Sequence, residues 1–366
     1  MAGAHSRFLW RAMPLVGLAM AFAASTVGGW AQQSYGLGVA LPLVGLAALI
    51  CVVFAAVYHA DVIAHRTGEP YGTLVLTVAV TVIEVALILS IMLSGEGRPG
   101  LARETVFAVI MVVCNGVVGL CLILGGLRYG EQGFRLPGTS AYLVVLMPLA
   151  TLTLILPTYT TSAAGPYYTD AQLAFVSLVT LVLYGTFLYV QTVRHRDYFL
   201  SDLGGAADEH AAPPTPAQLW ESVVLLLIGL TAVVLLAKTL GGSLETMVAA
   251  SGAPLDTVGL LVALLVLLPE TVAALRAARR NELQKSLNLA LGSSLATIGL
   301  TIPAVSLLAI KLNQPLELGI DLHQTVLLVL TFAVSLVTFG GGRTNILPGF
   351  VHLVLFAIFV FLLFVP

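Results

Sequence analysis

Residues 72–94 read GTLVLTVAVTVIEVALILSIMLS, and this stretch indicates the fold class. It is apolar along its length apart from small polar residues and one carboxylic acid, Glu84, near its middle. A helix of about 20 apolar residues crosses the roughly 30 Å hydrocarbon core of a bilayer. Because backbone groups cannot stay unpaired in lipid, the stretch predicts a transmembrane helix, not a loop or an open strand.

Stretches of the same kind recur along all 366 residues, of which 58% are hydrophobic and 9% charged. Soluble domains carry roughly 25% charged residues, so most of this surface must face lipid. The net charge of −2 gives no reason to expect a nucleic-acid partner. The sequence predicts an all-α polytopic membrane protein of about eleven transmembrane helices. They fall near 11–31, 37–58, 72–94, 104–126, 139–157, 171–192, 219–240, 254–275, 286–310, 322–340 and 346–365.

The basic residues predict how these helices are oriented, because Lys and Arg favour cytoplasmic loops. With the N-terminus inside, the C-terminus is outside, and most of the 16 basic residues fall in cytoplasmic loops. The exceptions are Arg98, Arg103, Lys238 and Lys311. Residues 1–31 also fit a cleaved signal peptide, which would leave ten spans; we expect a retained helix.

The polar stretch 193–217 divides the chain into two halves that resemble each other. Thr67-Gly-Glu-Pro precedes the helix with Glu84, and Ser251-Gly-Ala-Pro precedes the helix with Glu270. An odd number of helices in each half gives the halves opposite topology, as in the inverted repeats of secondary transporters. The predicted organisation is a first helix (1–36), a five-helix repeat (37–192), a cytoplasmic linker (193–217) and a second five-helix repeat (218–366).

Glu84 and Glu270 differ from the other acids among the 18 in the chain. The others lie in loops or within about a turn of a span end, whereas these two lie inside apolar helices. A charge at the bilayer centre costs about 2.5–3.5 kcal/mol. Two carboxylates in a low-dielectric cavity can bind protons or share a cation. A site that holds either one, and opens to each side in turn, can exchange a cation for protons.

Uncharged oxygen donors accompany the two carboxylates in the apolar helices: Thr81, Asn115, Ser293, Ser294 and Thr297. Each is a candidate cation ligand, although small polar residues also serve close helix packing. Pro269 lacks an N–H and therefore frees a carbonyl one turn before Glu270, another candidate ligand at a helix break. Four histidines lie near span ends and are interpreted as interfacial, with proton relay as the alternative: His59, His65, His323 and His352.

The stretch from His65 to Glu84 resembles the first signature of the cation/proton exchangers in the Ca²⁺:cation antiporter superfamily. Pro269-Glu270 and the segment Ser286–Thr297 resemble the second signature. The segments Gly68-Glu-Pro-Tyr-Gly72 and Gly342-Arg-Thr-Asn345 are similar to those of bacterial ChaA-type antiporters.

This resemblance implies eleven spans, a five-plus-five inverted repeat and one essential glutamate in each signature, here Glu84 and Glu270. The Asn that accompanies each of them in the wider exchanger group is replaced by Thr81 and Leu267. A thinner ligand set leaves room for Na⁺ or K⁺ beside Ca²⁺.

The resulting prediction is a secondary antiporter in a bacterial inner membrane that exports Ca²⁺, Na⁺ or K⁺ in exchange for H⁺. It needs no resident cofactor and is not an enzyme, and its partners are the lipid bilayer and the transported ions. A passive cation channel is the first alternative and an intramembrane enzyme the second. Ion preference, stoichiometry and oligomeric state do not follow from the sequence.

Overall fold

The computed structural model describes residues 2–31, 35–68, 71–94, 98–200 and 214–365, and it is helical throughout nearly all of them. The α-helices are, in chain order, α1 (Ala2–Ala31), α2 (Tyr35–Thr67), α3 (Tyr71–Ser94), α4 (Leu101–Met111), α5 (Val118–Tyr129), α6 (Leu136–Ala150), α7 (Asp170–Tyr189), α8 (Pro216–Ala250), α9 (Thr257–Arg279), α10 (Leu283–Ala296), α11 (Ile302–Leu312), α12 (Leu322–Phe339) and α13 (Ile346–Phe364).

The helices agree with the predicted spans. Within the residues that the structure describes, nine helical stretches are long and apolar enough to cross a membrane. Two shorter apolar helices, Phe8–Ala24 and Val78–Ser90, fall in the first and third predicted spans. The predicted all-α polytopic fold with about eleven helices is therefore confirmed. Some boundaries differ: α8 extends to Ala250, beyond the predicted end at 240.

Four predicted spans contain a π-helical segment. In the spans at 139–157 and 171–192 it follows the α-helix, at Thr151–Ile155 and Val190–Arg194, and in two others it joins two α-helices. The span predicted at 104–126 is α4 and α5 joined by a π-helical turn, Val112–Val117. The span predicted at 286–310 is α10 and α11 joined by a second π-turn, Thr297–Thr301. A π-turn carries one residue more than an α-turn and is frequent at functional sites. Apolar periodicity cannot reveal such a turn, because the extra residue leaves both flanking segments equally apolar.

The first compact unit comprises Met1–Arg98 and Ala212–Val258. Within it α1, α2, α3 and α8 pack against one another. Gly68 ends α2 with φ 69°, and Gly252 follows the end of α8 with φ 72°. Glycine adopts this left-handed conformation without steric cost, which explains its presence at both helix ends. The two similar sequence segments thus have the same backbone role.

The second compact unit comprises Pro99–Ala211 and Gly259–Pro366. Each of its two interrupted helices packs against a helix from the other half of the sequence. The first π-turn and α5 pack against α13, near the end of the chain, whereas the second π-turn and α11 pack against α7, from the first half. Each interrupted helix therefore contacts the last helix of the other half, as expected for two related halves that interlock.

Loops predicted to be cytoplasmic meet at one end of the second unit. Strand β1 (Gln132–Gly133) pairs antiparallel with β2 (Arg343–Thr344), with Gln132 opposite Thr344. The hydroxyl of Tyr129 donates to the carbonyl of Arg279 at 2.9 Å. The connections after α5, α9 and α12 therefore lie together, as alternating helix directions require.

Loops predicted to be external meet at a different set of contacts in the same unit. Arg103 forms an ion pair with Glu317. The amide of Glu317 donates to the carbonyl of Pro99 at 3.0 Å, and the amide of Gly319 donates to that of Pro166 at 3.1 Å. The segments before α4, before α7 and before α12 thus belong to one end.

The predicted linker at 193–217 is described only at its two ends. Arg196–Phe199 forms a 3₁₀-helix. Thr215 caps α8 through a capping box with Gln218. Residues 201–213, with the acids Asp202, Asp208 and Glu209, lie outside the described residues. The repeat and linker boundaries stay predictions.

Candidate cation and proton site

Glu84 lies in the first unit, on α3, where only 1% of its surface is exposed. Helix α3 packs against α2 and α8 and is apolar around this residue. Thr81 precedes Glu84 by three residues, so the two share a helix face, and Thr81 is also buried. The first unit therefore holds a carboxyl group and a hydroxyl away from solvent, within an apolar helix.

Glu270 lies in the second unit, on α9, directly after Pro269. Its Oε2 atom is buried and has no hydrogen-bond partner among the described residues. The predicted helix break is not present, because α9 runs without interruption from Thr257 to Arg279. Proline still cannot donate to the carbonyl one turn earlier, that of Leu265. A carboxylate oxygen and a backbone carbonyl thus remain available as ligands on this helix.

Asn115 lies inside the first π-turn and is fully buried. Its Nδ2 donates to Oγ1 of Thr331 at 2.9 Å, and its Oδ1 lies 3.1 Å from Nδ1 of His352. The other ring nitrogen of His352 lies 3.0 Å from Oγ1 of Thr338. The amide therefore belongs to a buried polar network formed with α12 and α13.

The remaining predicted ligands lie at the second interruption. Ser293 is partly buried and Ser294 fully buried near the end of α10, and Thr297 opens the π-turn, where it is 3% exposed. The hydroxyl of Ser294 is buried and makes no hydrogen bond within the described part of the chain. Helix α10 packs against the first π-turn, so the serine segment lies close to the segment of Asn115.

The structure thus distributes the seven predicted residues over both compact units. The first unit contains Thr81 and Glu84, and the second contains Glu270, Asn115, Ser293, Ser294 and Thr297. All are buried or partly buried in apolar helices. Among the described residues, no group of three or more His, Cys, Asp or Glu side chains could hold a metal ion. The roles of the seven as ligands stay predictions.

Two of the four histidines interpreted as interfacial are buried within the protein, which the sequence did not indicate. His59 is 2% exposed; its Nε2 donates to the carbonyl of Trp10 at 3.1 Å, and its Nδ1 lies 3.2 Å from Oγ of Ser222. His352 is fully buried. His65 and His323 are exposed, and the interfacial position of all four histidines stays a prediction.

Both buried histidines lie about two turns from a helix end, inside the helix. Proximity to a span end gave no sign of this burial, because it depends on the neighbouring helix that contacts each ring. The apolar residues on both sides of His352 are compatible with burial.

The model of the sodium/calcium exchanger protein family matches residues 37–193 and 221–365, which is most of the chain. The chain belongs to this family. The resemblance noted in the two signatures is therefore confirmed. The family places the two buried glutamates and the interrupted helices in a membrane transporter of cations.

Two relatives of this exchanger family cover nearly the whole chain. The ionic transporter y4hA of Sinorhizobium fredii is 47% identical over 329 residues, which are 90% of this chain and 89% of that protein. The sodium-potassium/proton antiporter ChaA of Escherichia coli is 37% identical over 337 residues, 91% of each chain.

Solved structures show the same fold at lower sequence identity. YfkE superimposes with a TM-score of 0.74 at 16% identity, covering 98% of this chain and all of that one, 100%. The H⁺/Ca²⁺ exchanger CAX superimposes with a TM-score of 0.68 at 13% identity, covering 96% of this chain and 88% of that one. These similarities support the exchanger fold.

Proposed function

We propose that this chain is a secondary active antiporter that exports Ca²⁺, Na⁺ or K⁺ in exchange for H⁺. Glu84 and Glu270 bind the cation or protons by turns, and access alternates between the two sides of the membrane. The observation that carries the proposal is the burial of Glu84, 1% exposed inside an apolar helix of an exchanger-family chain. Ionisable residues inside membrane helices are rare because they are costly, and they usually mark an ion or proton pathway.

The chemistry of two buried carboxylates links the cation to protons. Without a cation, desolvation favours the protonated form of each acid. A bound cation favours the ionised form, so the protons must leave. Mutual exclusion of the two cargoes is what couples their movements, and the proton gradient supplies the driving force without ATP.

Neutral oxygens complete the ligand set of the proposed site: Thr81, Asn115, Ser293, Ser294 and Thr297. Hydroxyl and amide oxygens suit hard cations. The second-half candidates support this assignment best, because the buried hydroxyl of Ser294 and Oε2 of Glu270 make no hydrogen bond within the residues described.

The cations that we propose are those named for related antiporters. ChaA is a sodium-potassium/proton antiporter, and a relative from Aphanothece halophytica, 24% identical over 278 residues, is a Ca²⁺/H⁺ antiporter. The absence of an Asn beside Glu84 and Glu270 favours a monovalent cation as one cargo, with Ca²⁺ as another.

We further propose a bacterial inner membrane location with a cytoplasmic N-terminus and a periplasmic C-terminus. The distribution of Lys and Arg supports this orientation. The grouping of the loops in the second unit supports the alternation of helix directions on which it depends.

The test is proton flux in inverted membrane vesicles that hold an imposed pH gradient. Addition of Ca²⁺, Na⁺ or K⁺ should collapse the gradient in vesicles with the protein, and not in vesicles without it. Glu84→Gln and Glu270→Gln should each abolish the response. Glu131→Gln is the matched control, since Glu131 is an exposed loop acid and its loss should change nothing. A gradient that survives all three cations would reject the proposal.

A further inference from the structure

The polar network around Asn115 joins three helices of the second unit. Asn115 lies in the π-turn, Thr331 and Thr338 on α12, and His352 on α13. Asn115, Thr331 and His352 are each 0% exposed, and Thr338 is 6% exposed. A buried polar network in lipid must satisfy its own donors and acceptors, because no solvent can do so.

Small residues bring α13 close enough for this network to form. A Cβ atom at Gly119 would lie 3.0 Å from the carbonyl oxygen of Gly349, so the two backbones nearly touch. Gly116 faces the ring of Phe356, and a Cβ atom at this position would lie 3.5 Å from the ring. Close approach through small residues is typical of membrane helix pairs. It places the ring of His352 beside the π-turn.

The sulfur of Met111 determines which way the amide of Asn115 points. Nδ2 lies 3.8 Å from this sulfur, and Oγ1 of Thr331 lies 3.6 Å from it. A thioether only accepts hydrogen bonds, so the amide end beside it is the NH₂ end. The oxygen Oδ1 therefore faces His352.

The orientation of the amide fixes the tautomer of His352. Oδ1 can only accept, so Nδ1 of His352 carries the hydrogen and donates it. Nε2 then accepts from the hydroxyl of Thr338. A carbonyl oxygen has two acceptor sites, and the ring occupies one of them. The second stays available to a cation.

We propose that His352 is a positioning residue for cation binding, which acts by holding Oδ1 of Asn115. The proposal rests on the proposed antiport and on Asn115 as a ligand. His352 does not pass protons along this network, since Nδ1 donates to an amide oxygen and an amide relays protons poorly. Its role is to prevent rotation of the Asn115 amide, which would present the NH₂ group to the cation.

The transport test compares KM with maximal rate in reconstituted vesicles. His352→Leu removes the donor at similar volume and should raise the KM for the cation about 5-fold, the loss expected for one hydrogen bond, with maximal rate little changed. His352→Asn returns an N–H near the place of Nδ1 and should restore the KM. Thr338→Val is the matched control: it removes the other hydrogen bond of the ring and should leave the KM within about 2-fold.

A double-mutant cycle tests whether His352 acts through Asn115. In an Asn115→Ala background, His352→Leu should change the KM no further, because the oxygen that it holds is gone. An additional effect of similar size would overturn the proposal. So would an unchanged KM in His352→Leu alone, or a pH–rate profile displaced in His352→Asn, which would make the ring a proton carrier.

A spectroscopic test reads the tautomer in the wild-type protein and needs a variant only to assign the signal. Nitrogen NMR of the histidine-labelled wild type should show one of the 7 histidines as the Nδ1–H tautomer, identified by its loss in His352→Asn. The Nε2–H tautomer would overturn the proposal. Failure of wild-type transport in the same vesicles would instead reject the proposed antiport, so the two outcomes are distinguishable.

Discussion

The two interrupted helices of the second unit both contain a π-turn, but the residues around the two turns differ. At the first π-turn, Asn115 donates a hydrogen bond to Thr331 on α12 and accepts one from His352 on α13. At the second, Gly299 faces the ring of Tyr184 on α7, and a Cβ there would lie 2.5 Å from the ring. The buried hydroxyls of Ser294 and Thr301 make no hydrogen bonds within the described residues.

This difference leads us to expect different roles for the two interrupted helices in the proposed cation binding. The first interruption presents the amide of Asn115 in a fixed orientation. One of the two acceptor sites of its Oδ1 is occupied by His352. The second presents hydroxyl groups that are not committed, beside a tight apolar contact. In the proposed transport cycle, the fixed amide would give selectivity, and the hydroxyls would form bonds only when the cation binds.

The largest expected effect on folding is at Gly299. Gly299→Ala should lower the free energy of unfolding by about 1–3 kcal/mol, because the new methyl group overlaps the ring of Tyr184. Gly116→Ala is the matched control in the first π-turn, where a Cβ meets Phe356 at an ordinary 3.5 Å. Unfolding in mixed SDS micelles measures both. Equal losses of unfolding free energy in the two variants would contradict the tighter packing at Gly299.

Asn115→Ala should have the next largest effect, about 1–2 kcal/mol of unfolding free energy. It leaves His352 and Thr331 buried without their amide partner, and unsatisfied polar groups are costly in lipid. The same SDS titration measures it. A loss no larger than that of an ordinary surface substitution would show that the network is not a stabilising contact.

Thr331→Val should cost less, about 0.6 kcal/mol, the typical value of one side-chain hydrogen bond in a membrane. The variant keeps the shape of the side chain and removes the hydroxyl, which accepts from Nδ2 of Asn115 and donates weakly to the sulfur of Met111. In a double-mutant cycle with Asn115→Ala the two losses should not add, because both remove the same bond. Full additivity would contradict the assigned contact.

The smallest expected effect on stability is at Ser294. Ser294→Ala removes a buried hydroxyl that has no partner in the described chain, so the free energy of unfolding should change by less than about 0.5 kcal/mol. The KM for the cation should nevertheless rise if the hydroxyl is a ligand. A large loss of stability, or an unchanged KM, would count against uncommitted ligands in the second half.

The sequence was sufficient for the fold class, because a helix that crosses lipid needs a long apolar stretch and little else. It also isolated Glu84, since a carboxylic acid among Val, Ile and Leu has no ordinary place in a membrane helix. The matching sequence motifs place Gly68 and Gly252 at two helix ends, where both adopt the left-handed conformation that favours glycine. The pairing of the halves stays a prediction.

Other features depend on tertiary contacts and could not be predicted from single segments. The π-turns leave no periodic signal in the apolar pattern. The burial of His352 depends on α13 meeting the first π-turn, more than two hundred residues earlier in the chain. The break expected at Pro269 is absent, because a membrane helix can lose one hydrogen bond and continue.

The most direct test of the account is accumulation of a cation against its own gradient in vesicles of purified protein. Vesicles with an acidic interior, the membrane potential clamped, and equal cation concentrations on both sides should take up Na⁺, K⁺ or Ca²⁺ as protons leave. Glu84→Gln and Glu270→Gln should accumulate none. A cation that only equilibrates, at a rate that ignores the pH gradient, would identify a channel and contradict the account.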